Sequence, residues 1–456
     1  MISEVQFAEH VFREYDIRGI AGVDIHEPLA ERLGRAFAHM LPPQDSAPVV
    51  VGRDVRLSGP SLQHALIQGL LASGRDVLDI GVSPSPLAYF AVHQLHASGC
   101  IHITASHNPS EYNGFKLMKG KESLHGHDIQ QLMHWVKNPP PPTSSMPGQL
   151  TRLNPVDVYM DFVAGDCPLK RPLRVVIDAG NGPSGVIAAP LYRRLGCEVI
   201  ELFCEPDGHF PNHHPDPTIE SNLHSLKQQV REHHADLGIA FDGDGDRIGL
   251  VDEQGAIIWG DMLLLLLARR LLQTHPGATI ISEVKASQYL YDEIKRLGGH
   301  GMMWRTGHSP IKAKMKETGA LLAGEMSGHI FFADRFPGYD DAIYAGARIM
   351  QLLSEQPQPL SSLLADVPHA LYTPEIRINC PDSRKFLLIE EARKHFAELG
   401  LSMIDIDGVR IQFADGWGLL RASNTQPALV MRYQAPNEQR LDEMRKIIES
   451  WLHEHL

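Results

Sequence analysis

Three times in succession a short run of β-branched residues passes through a polar loop into a segment of helical period. That recurrence confines most of the chain to layered α/β architecture. Val49-Val50-Val51-Gly52 leads through RDVRLSGP into SLQHALIQGLLASG. There Pro60 suits a first helical turn, Leu62, Leu66 and Leu70 recur every four residues, and Gly74 stops the helix. Arg174-VVIDAGNGPSG and Ala278-TIISEVKAS begin two later pieces in the same way. The last stretch differs. Strand-like IRIN, helical FLLIEEARKHFAEL, strand-like VRIQF and a closing helix EQRLDEMRKIIESWLHEH predict a smaller α+β domain.

Composition places the breaks. Four consecutive prolines in NPPPPTSSMPG (138–148) forbid helix and ladder pairing, and SEQPQPLSSLLADVPHA (354–370) is a second shift. A softer break is the DEQG turn at 252–255. The expected domains are residues 1–150, 151–255, 256–368 and 369–456.

Lys+Arg 42 against Asp+Glu 55 gives a net charge of −13. An acidic surface repels phosphate backbones and anionic headgroups, so nucleic acid and membrane are not expected partners. An anionic small molecule must meet a local cluster of cations. The longest aliphatic run, Met262 to Ala268, falls far short of the roughly 20 residues that span a bilayer. The first residues carry acids through their apolar positions and offer no signal-peptide core. Five scattered cysteines without a C-x-x-C pair suit a reducing compartment, so a cytoplasmic protein is expected.

In open α/β sheets ligands gather beyond the carboxyl ends of strands, and four such loops carry chemistry. In Gly99-CIHI-TASHNPSEYNGFK, Ser106 stands at a strand tip, where a nucleophile or phosphate carrier is useful. Adjacent side chains rarely pair as base and nucleophile, so Ser106 and His107 do not predict a hydrolase triad; read alone, the loop is a polar turn. In Leu237-GIAF-DGDGDR-IGLV, Asp242, Asp244 and Asp246 can converge on one cation if the backbone is extended or looped. Hard oxygen ligands favour Mg²⁺ or Ca²⁺. An EF-hand is the rival, but its turn glycine is replaced by Arg247 and the flanks are strand-like. In Ala320-LLA-GEMSGHIFF, Glu325, Ser327 and His329 alternate and would face one way on an extended loop; an edge strand with a polar face is equally consistent. In Gly418-LLRASNTQP, Arg421 can grip a phosphate, with Ser423, Asn424 and Thr425 adding donors, or the loop is an ordinary Asn/Ser turn.

Other signals are weaker. The pairs His213-His214 and His233-His234 read as solvated, as do Lys312, Lys314 and Lys316. His308-Ser309-Pro310 resembles a helix start with Ser309 as N-cap, which would set His308 beside a positive dipole end.

Together and in this order, FREYDIRG, TASHNP, DGDGDR, GEMSGH and RASNTQP resemble the α-D-phosphohexomutase superfamily over about nine-tenths of the chain. The match is closest to its bacterial phosphomannomutase/phosphoglucomutase branch; glucosamine-type members tend to carry Gln at Met326 and Ser at Thr104. The resemblance implies three similar α/β domains with mixed sheets and a smaller C-terminal α+β domain around a central cleft. It implies a reversible transfer of phosphate between O6 and O1 of mannose or glucose phosphate through a hexose 1,6-bisphosphate, which also activates the enzyme. By resemblance Ser106 is the phosphoserine, and one of its phosphate oxygens joins Asp242, Asp244 and Asp246 around one Mg²⁺. Residues Glu325, Met326, Ser327, Gly328 and His329 would read sugar hydroxyls, and Arg421, Ala422, Ser423, Asn424 and Thr425 would clamp the non-reacting phosphate. Tyr15, Arg18, Lys116, Arg247, Lys285 and His308 match further cleft positions, Arg18 and Lys116 among the catalytic ones. Lys116, His107 and His329 are all candidates for general acid and base. Sugar phosphates are the expected partners of a monomer; a phosphoglucosamine mutase and an Mg²⁺-dependent sugar-phosphate phosphatase are the alternatives. One departure is Gln426, where the family usually has Glu.

Overall fold

The computed structural model describes residues 8–142, 146–368, 370–423 and 426–456. The chain packs as two units: one runs to Leu263 and takes in Ser327–Leu363, the other is Leu264–Met326 with Leu364–Leu456.

The first unit opens with a mixed sheet built from β1 (Ile17–Ile20), β2 (Val49–Arg53), β3 (Val77–Val82), β4 (Gly99–Ile103), β5 (Tyr112–Lys119), β6 (Glu122–Ser123) and β7 (Leu150–Arg152). Its order is β1-β5-β4-β2-β3-β7, with β6 on β5. Strands β4, β2, β3 and β7 run parallel, and β5 is antiparallel to both neighbours. The predicted helix is Gly59–Ala72, and Leu62, Leu66 and Leu70 are its buried stripe. It lies so close to the helix Glu27–Met40 that a Cβ on Gly34 would meet the Leu66 carbonyl at 2.4 Å, and one on Gly69 the Glu31 carbonyl at 2.0 Å. Leu29, Leu33, Phe37, Val49, Val51, Ile101 and Ile103 fill the core between these helices and the sheet. Roughly 1.5–3 kcal/mol of hydrophobic stabilisation attends each such side chain.

A second sheet in the same unit consists of β8 (Arg174–Asp178), β9 (Glu198–Leu202), β10 (Leu237–Phe241), β11 (Ile248–Asp252) and β12 (Ile257–Ile258), in the order β12-β11-β10-β8-β9. Strands β10, β8 and β9 are parallel, whereas β10 and β11 form an antiparallel hairpin with Phe241 opposite Ile248. Every residue of β10 and β11 is buried, which explains their unbroken apolar runs.

In the second unit β13 (Thr279–Glu283), β14 (His300–Trp304) and β15 (Leu322–Gly324) are parallel, with β13 in the middle. The chain then forms β16 (Ile330–Phe332) and the helix Ala342–Ser354 in the first unit. The C-terminal sheet is antiparallel: β17 (Leu371–Tyr372), β18 (Ile376–Asn379), β19 (Met403–Ile404), β20 (Val409–Gln412), β21 (Trp417–Ala422) and β22 (Ala428–Ala435). Its order is β17-β22-β21-β20-β19, with β18 also on β22. The helices Asp382–Glu398 and Glu438–His455 cover it, so three α/β sheets are followed by a smaller α+β domain, as expected. Strands β21 and β22 are buried throughout although glycine, arginine and glutamine interrupt their apolar runs, which is why they do not stand out in the sequence. The Met262–Ala268 run lies in the helix Gly260–Thr274, and among the described residues no helix is long and apolar enough to cross a membrane.

Candidate active site

The site in the first unit grows from the carboxyl end of β4. Beyond Ile103 the chain turns through Thr104 and Ala105 to Ser106, which has φ +51°, a left-handed conformation costing about 1–3 kcal/mol for a non-glycine residue. The cost is met locally. The Ser106 N–H donates to Thr104 Oγ1 at 2.8 Å, and that hydroxyl donates to Asp54 Oδ2 at 2.7 Å. Arg56, wholly buried, grips the same loop with its planar fork. One terminal nitrogen donates to the carbonyls of Pro109 (2.5 Å) and Tyr112 (2.8 Å), the other to those of Ser106 (2.8 Å) and Asn108 (2.6 Å). Its Nε bonds Asp54 Oδ2 at 3.1 Å. Neither Asp54 nor Arg56 was singled out in the sequence, where both stand in the loop RDVRLSGP like ordinary solvated charges.

So held, Ser106 Oγ donates to Asp242 Oδ2 at 2.7 Å and lies 3.0 Å from His107 Nδ1. The expectation that these neighbours stand apart is therefore corrected: the left-handed turn at Ser106 brings the imidazole back over its own hydroxyl. Burial, then Arg247 and Arg18, push the His107 imidazole well below its ordinary value, so it is neutral.

Asp242, Asp244 and Asp246 fill the β10–β11 hairpin loop and are fully buried. The flanking strands exclude an EF-hand. Asp242 Oδ1 accepts from the backbone N–H groups of Gly245 (2.9 Å), Asp246 (3.1 Å) and Arg247 (3.1 Å), a nest that Gly245 permits at φ +76°. Lys116, on β5, donates to Asp244 Oδ2 at 2.6 Å and Asp246 Oδ2 at 2.5 Å. Burial and the two neighbouring carboxylates push the Asp242 carboxyl well above the usual range. For Asp244 burial acts in the same sense, but Lys116 and the Ser85 hydroxyl outweigh it and hold the group low. Lys116 is raised in turn: burial opposes its charge, and Asp244 and Asp246 prevail.

One oxygen of each aspartate lies within 4.8 Å of the others, close enough to share an ion. Among the described residues Asp244 Oδ1 and Asp246 Oδ1 are buried without a hydrogen-bond partner. Three carboxylates around one ammonium, with two bare oxygens, fit a hard divalent cation.

His329 stands beside this loop. Its Nε2 accepts from Arg247 Nε at 2.9 Å, and its Nδ1 is 3.0 Å from Asp340 Oδ2 and 3.7 Å from Asp246 Oδ1. Because Nε2 accepts, Nδ1 carries the hydrogen and faces the carboxylates. Asp340 was missed because nothing in its surroundings, PGYDDA, marks it. Arg18, on β1, donates to Asn108 Oδ1 at 2.6 Å and pairs with Asp16 at 2.5 Å, while Tyr15 is half-buried just before that strand. Ser327 lies in the turn at 326–327, and Gly328 at φ +95° packs so tightly on Ile248 that a Cβ would meet its carbonyl at 2.3 Å. The expected single-faced alternation of Glu325, Ser327 and His329 is thereby corrected: a turn separates them. His213 is also corrected. It is part-buried with Nε2 3.0 Å from both oxygens of Asp178, and that hydrogen bond raises its pKa against the opposing effect of burial.

The remaining predicted residues belong to the second unit. Glu325 Oε1 accepts the Gly307 N–H at 2.6 Å, and Met326 N–H donates to Glu283 Oε1 at 3.2 Å. Gly307, at φ +130°, is the N-cap of the helix His308–Thr318, so Ser309 sits inside the first turn and is not the cap. His308, the first helical residue, is buried. Lys285 Nζ pairs with Glu375 Oε1 at 2.7 Å, which raises the lysine against burial and holds the glutamate far below its ordinary range. Arg421, near the end of β21, pairs with Asp407 at 3.0 Å. Ala422 is buried on the same strand, and Ser423 Oγ accepts from Gln426 N–H at 3.1 Å. Buried Lys385 ties this turn, donating to the carbonyls of Ser423 (2.6 Å) and Gln426 (3.0 Å). Gln426 Oε1 accepts from Arg377 at 2.7 Å, which a glutamate would also do. Asn424 and Thr425 lie outside the described residues.

Four successive segments match phosphoglucomutase/phosphomannomutase domains: α/β/α domain I over residues 9–135, II over 157–255, III over 259–371, and the C-terminal domain over 375–450. A phosphomannomutase/phosphoglucomutase from Pseudomonas putida is 44% identical over 444 residues, 97% of this chain and 96% of its own. A phosphoglucomutase from Neisseria gonorrhoeae is 45% identical over 438 residues, 95% of each chain. The crystal structure of a phosphoglucomutase/phosphomannomutase family protein from Burkholderia thailandensis matches with a TM-score of 0.90 at 41% identity, covering 97% of this chain and 96% of that one. With all four domains in order and relatives matched along almost their whole length, this chain belongs to the phosphoglucomutase/phosphomannomutase family of α-D-phosphohexomutases.

Proposed function

We propose that this chain is a phosphomannomutase/phosphoglucomutase that moves phosphate between O1 and O6 of mannose or glucose through a phosphoserine at Ser106. The observation that carries the reading is the 2.7 Å contact from Ser106 Oγ to Asp242, which sets one hydroxyl against a buried cluster of three carboxylates. A phosphoryl group on that oxygen would lie beside the same carboxylates.

Phosphoserine 106 gives its phosphoryl group to the free O6 or O1 of a hexose phosphate. The P–Oγ bond breaks, a bond from phosphorus to the sugar oxygen forms, and the hydroxyl proton passes to a base. The resulting 1,6-bisphosphate turns around, and its other phosphate returns to Ser106. Asp242, Asp244 and Asp246 would hold Mg²⁺, which when bound supplies neutralisation of the phosphoryl charge. Lys116 stays protonated and adds a fixed positive charge. His107, 3.0 Å from Ser106 Oγ, is placed to exchange a proton with that oxygen. His329 would carry the proton of the sugar hydroxyl only by exchanging its Nε2 bond to Arg247 for that hydroxyl. Arg18 would hold the transferring phosphate, with Arg247 and Tyr15 beside it. Glu325 to His329 would read the sugar, and in the second unit His308 would lie among the further substrate contacts while Lys285 and Arg421 to Thr425 would bind the other phosphate. Added hexose 1,6-bisphosphate would recharge an enzyme that had lost its phosphate.

The test compares kcat/KM on mannose 1-phosphate, glucose 1-phosphate and glucosamine 1-phosphate for the native chain and Ser106→Ala. The first two substrates should be used well and the third poorly, and Ser106→Ala should abolish turnover of all. Preference for glucosamine 1-phosphate, or a Ser106→Ala enzyme that still turns over, would refute the reading.

A further inference from the structure

Asp244 is held from behind by Ser85, a residue that neither the motif nor the proposed reaction includes. Ser85 is the first residue of the helix Ser85–Leu95, and Pro84 before it fixes the entry. Its backbone N–H donates to the Asp244 carbonyl at 2.9 Å, and its Oγ donates to Asp244 Oδ2 at 2.5 Å. Two points of attachment on one aspartate fix both its main chain and the rotation of its carboxylate. With Lys116 also on Oδ2, that oxygen is saturated, and buried Oδ1 is the atom left without a hydrogen-bond partner among the described residues.

Ser85 is itself held. His102, in β4 and fully buried, puts Nδ1 3.1 Å from Ser85 Oγ and Nε2 3.0 Å from the Ser83 carbonyl. A carbonyl only accepts, so Nε2 carries the hydrogen and the ring is pinned across the gap between Ser83 and Ser85. With Nε2 protonated, Nδ1 is an acceptor, and the single Ser85 hydroxyl hydrogen goes to Asp244, so the ring backs Ser85 by packing at 3.1 Å and not by a second hydrogen bond.

We propose that Ser85 is a positioning residue for the metal ligand Asp244, turning Oδ1 toward the cation. The proposal rests on the reading of Asp242, Asp244 and Asp246 as a Mg²⁺ site. Residues behind a metal ligand commonly govern affinity by about ten- to a hundredfold when removed.

The experiment is calorimetric titration of Mg²⁺ alone into the dephosphorylated protein, with KM for glucose 1-phosphate measured separately at saturating Mg²⁺. Ser85→Ala should weaken Mg²⁺ by about tenfold or more, while KM for the sugar phosphate stays as in the native chain. Ser85→Thr, which keeps the hydroxyl, should restore the affinity to within about threefold, and that rescue separates positioning from packing. If Asp244→Asn weakens Mg²⁺ and Ser85→Ala does not, the positioning role is overturned and the metal site stands. If Asp244→Asn itself binds Mg²⁺ like the native chain, the metal reading fails first.

Discussion

The two units hold their charges in opposite ways. In the first, carboxylates outnumber the cation among them: Lys116 donates to Asp244 and Asp246, Asp242 shares their loop, and among the described residues two of their oxygens have no hydrogen-bond partner. In the second, each candidate phosphate-binding cation already has a carboxylate of its own, Lys285 with Glu375 and Arg421 with Asp407. The first arrangement lacks positive charge and so favours a divalent cation. The second is neutral pair by pair, so a phosphate bound there as proposed would exchange one anion for another and leave no buried cation alone. On the proposed reading chemistry and recognition are thereby divided: one unit would change a bond, the other would hold and release the rest of the substrate.

The comparison breaks most sharply at the metal loop. Asp244→Asn keeps the shape of the ligand but removes its negative charge, and kcat should fall by about 10³-fold or more with KM little changed. Steady-state kinetics beside a circular dichroism spectrum check this; a near-native kcat would remove the first unit from the chemistry. Arg56→Lys keeps the buried charge but not the fork that ties four carbonyls of the Ser106 loop. Stability should drop by about 3–5 kcal/mol in urea denaturation, and kcat by about a hundredfold, since Ser106 would no longer be held at its left-handed angle.

The second unit should answer in KM. Arg421→Ala should raise KM for both sugar phosphates by the equivalent of about 2–4 kcal/mol, with a smaller change in kcat. Asp407→Asn sharpens the contrast, because it removes the anion that competes with phosphate for Arg421; KM should fall a few-fold. Opposite signs from the two partners of one ion pair are what exchange requires, and a rise in both would mean that the pair is only structural.

The last effect tests the scaffold and not the site. Asp341 is buried, caps the helix Ala342–Ser354 through the Tyr344 N–H at 2.9 Å, and bonds the Tyr159 hydroxyl. Burial pushes its carboxyl up to about 7 from an ordinary 3.8. The folded state therefore binds this proton more tightly than the unfolded chain, so stability is highest below about pH 4 for this group. It is lost as pH rises to about 7, at no more than about 1.4 kcal/mol per pH unit. Asp341→Asn should flatten that part of the urea-denaturation profile between pH 4 and 7; an unchanged slope would contradict the assignment.

Much of this was legible in the sequence where residues are crowded into short motifs. Asp242, Asp244 and Asp246 at alternate positions could converge only on a loop, and the β10–β11 hairpin supplies it. The helix under Leu62, Leu66 and Leu70 followed from spacing alone. What was not legible depends on partners far along the chain. Arg56 and Asp54 act on a loop some fifty residues away, and Ser85 acts on Asp244 across 159 positions. His213 reads as one of a solvated pair until Asp178 is folded against it. Backbone angles were equally hidden: the positive φ of Ser106 and the turn before Gly328 decided what His107 and His329 touch.

The central claim is that Ser106 carries the phosphoryl group and that the enzyme must start loaded. The most direct measurement is intact-protein and peptide mass spectrometry of the purified chain, paired with a mutase assay before and after phosphatase treatment. The account predicts a partial phosphate on Ser106, loss of activity when it is removed, and recovery on adding hexose 1,6-bisphosphate, with Ser106→Ala inactive throughout. Full activity in rigorously dephosphorylated protein without bisphosphate would contradict it.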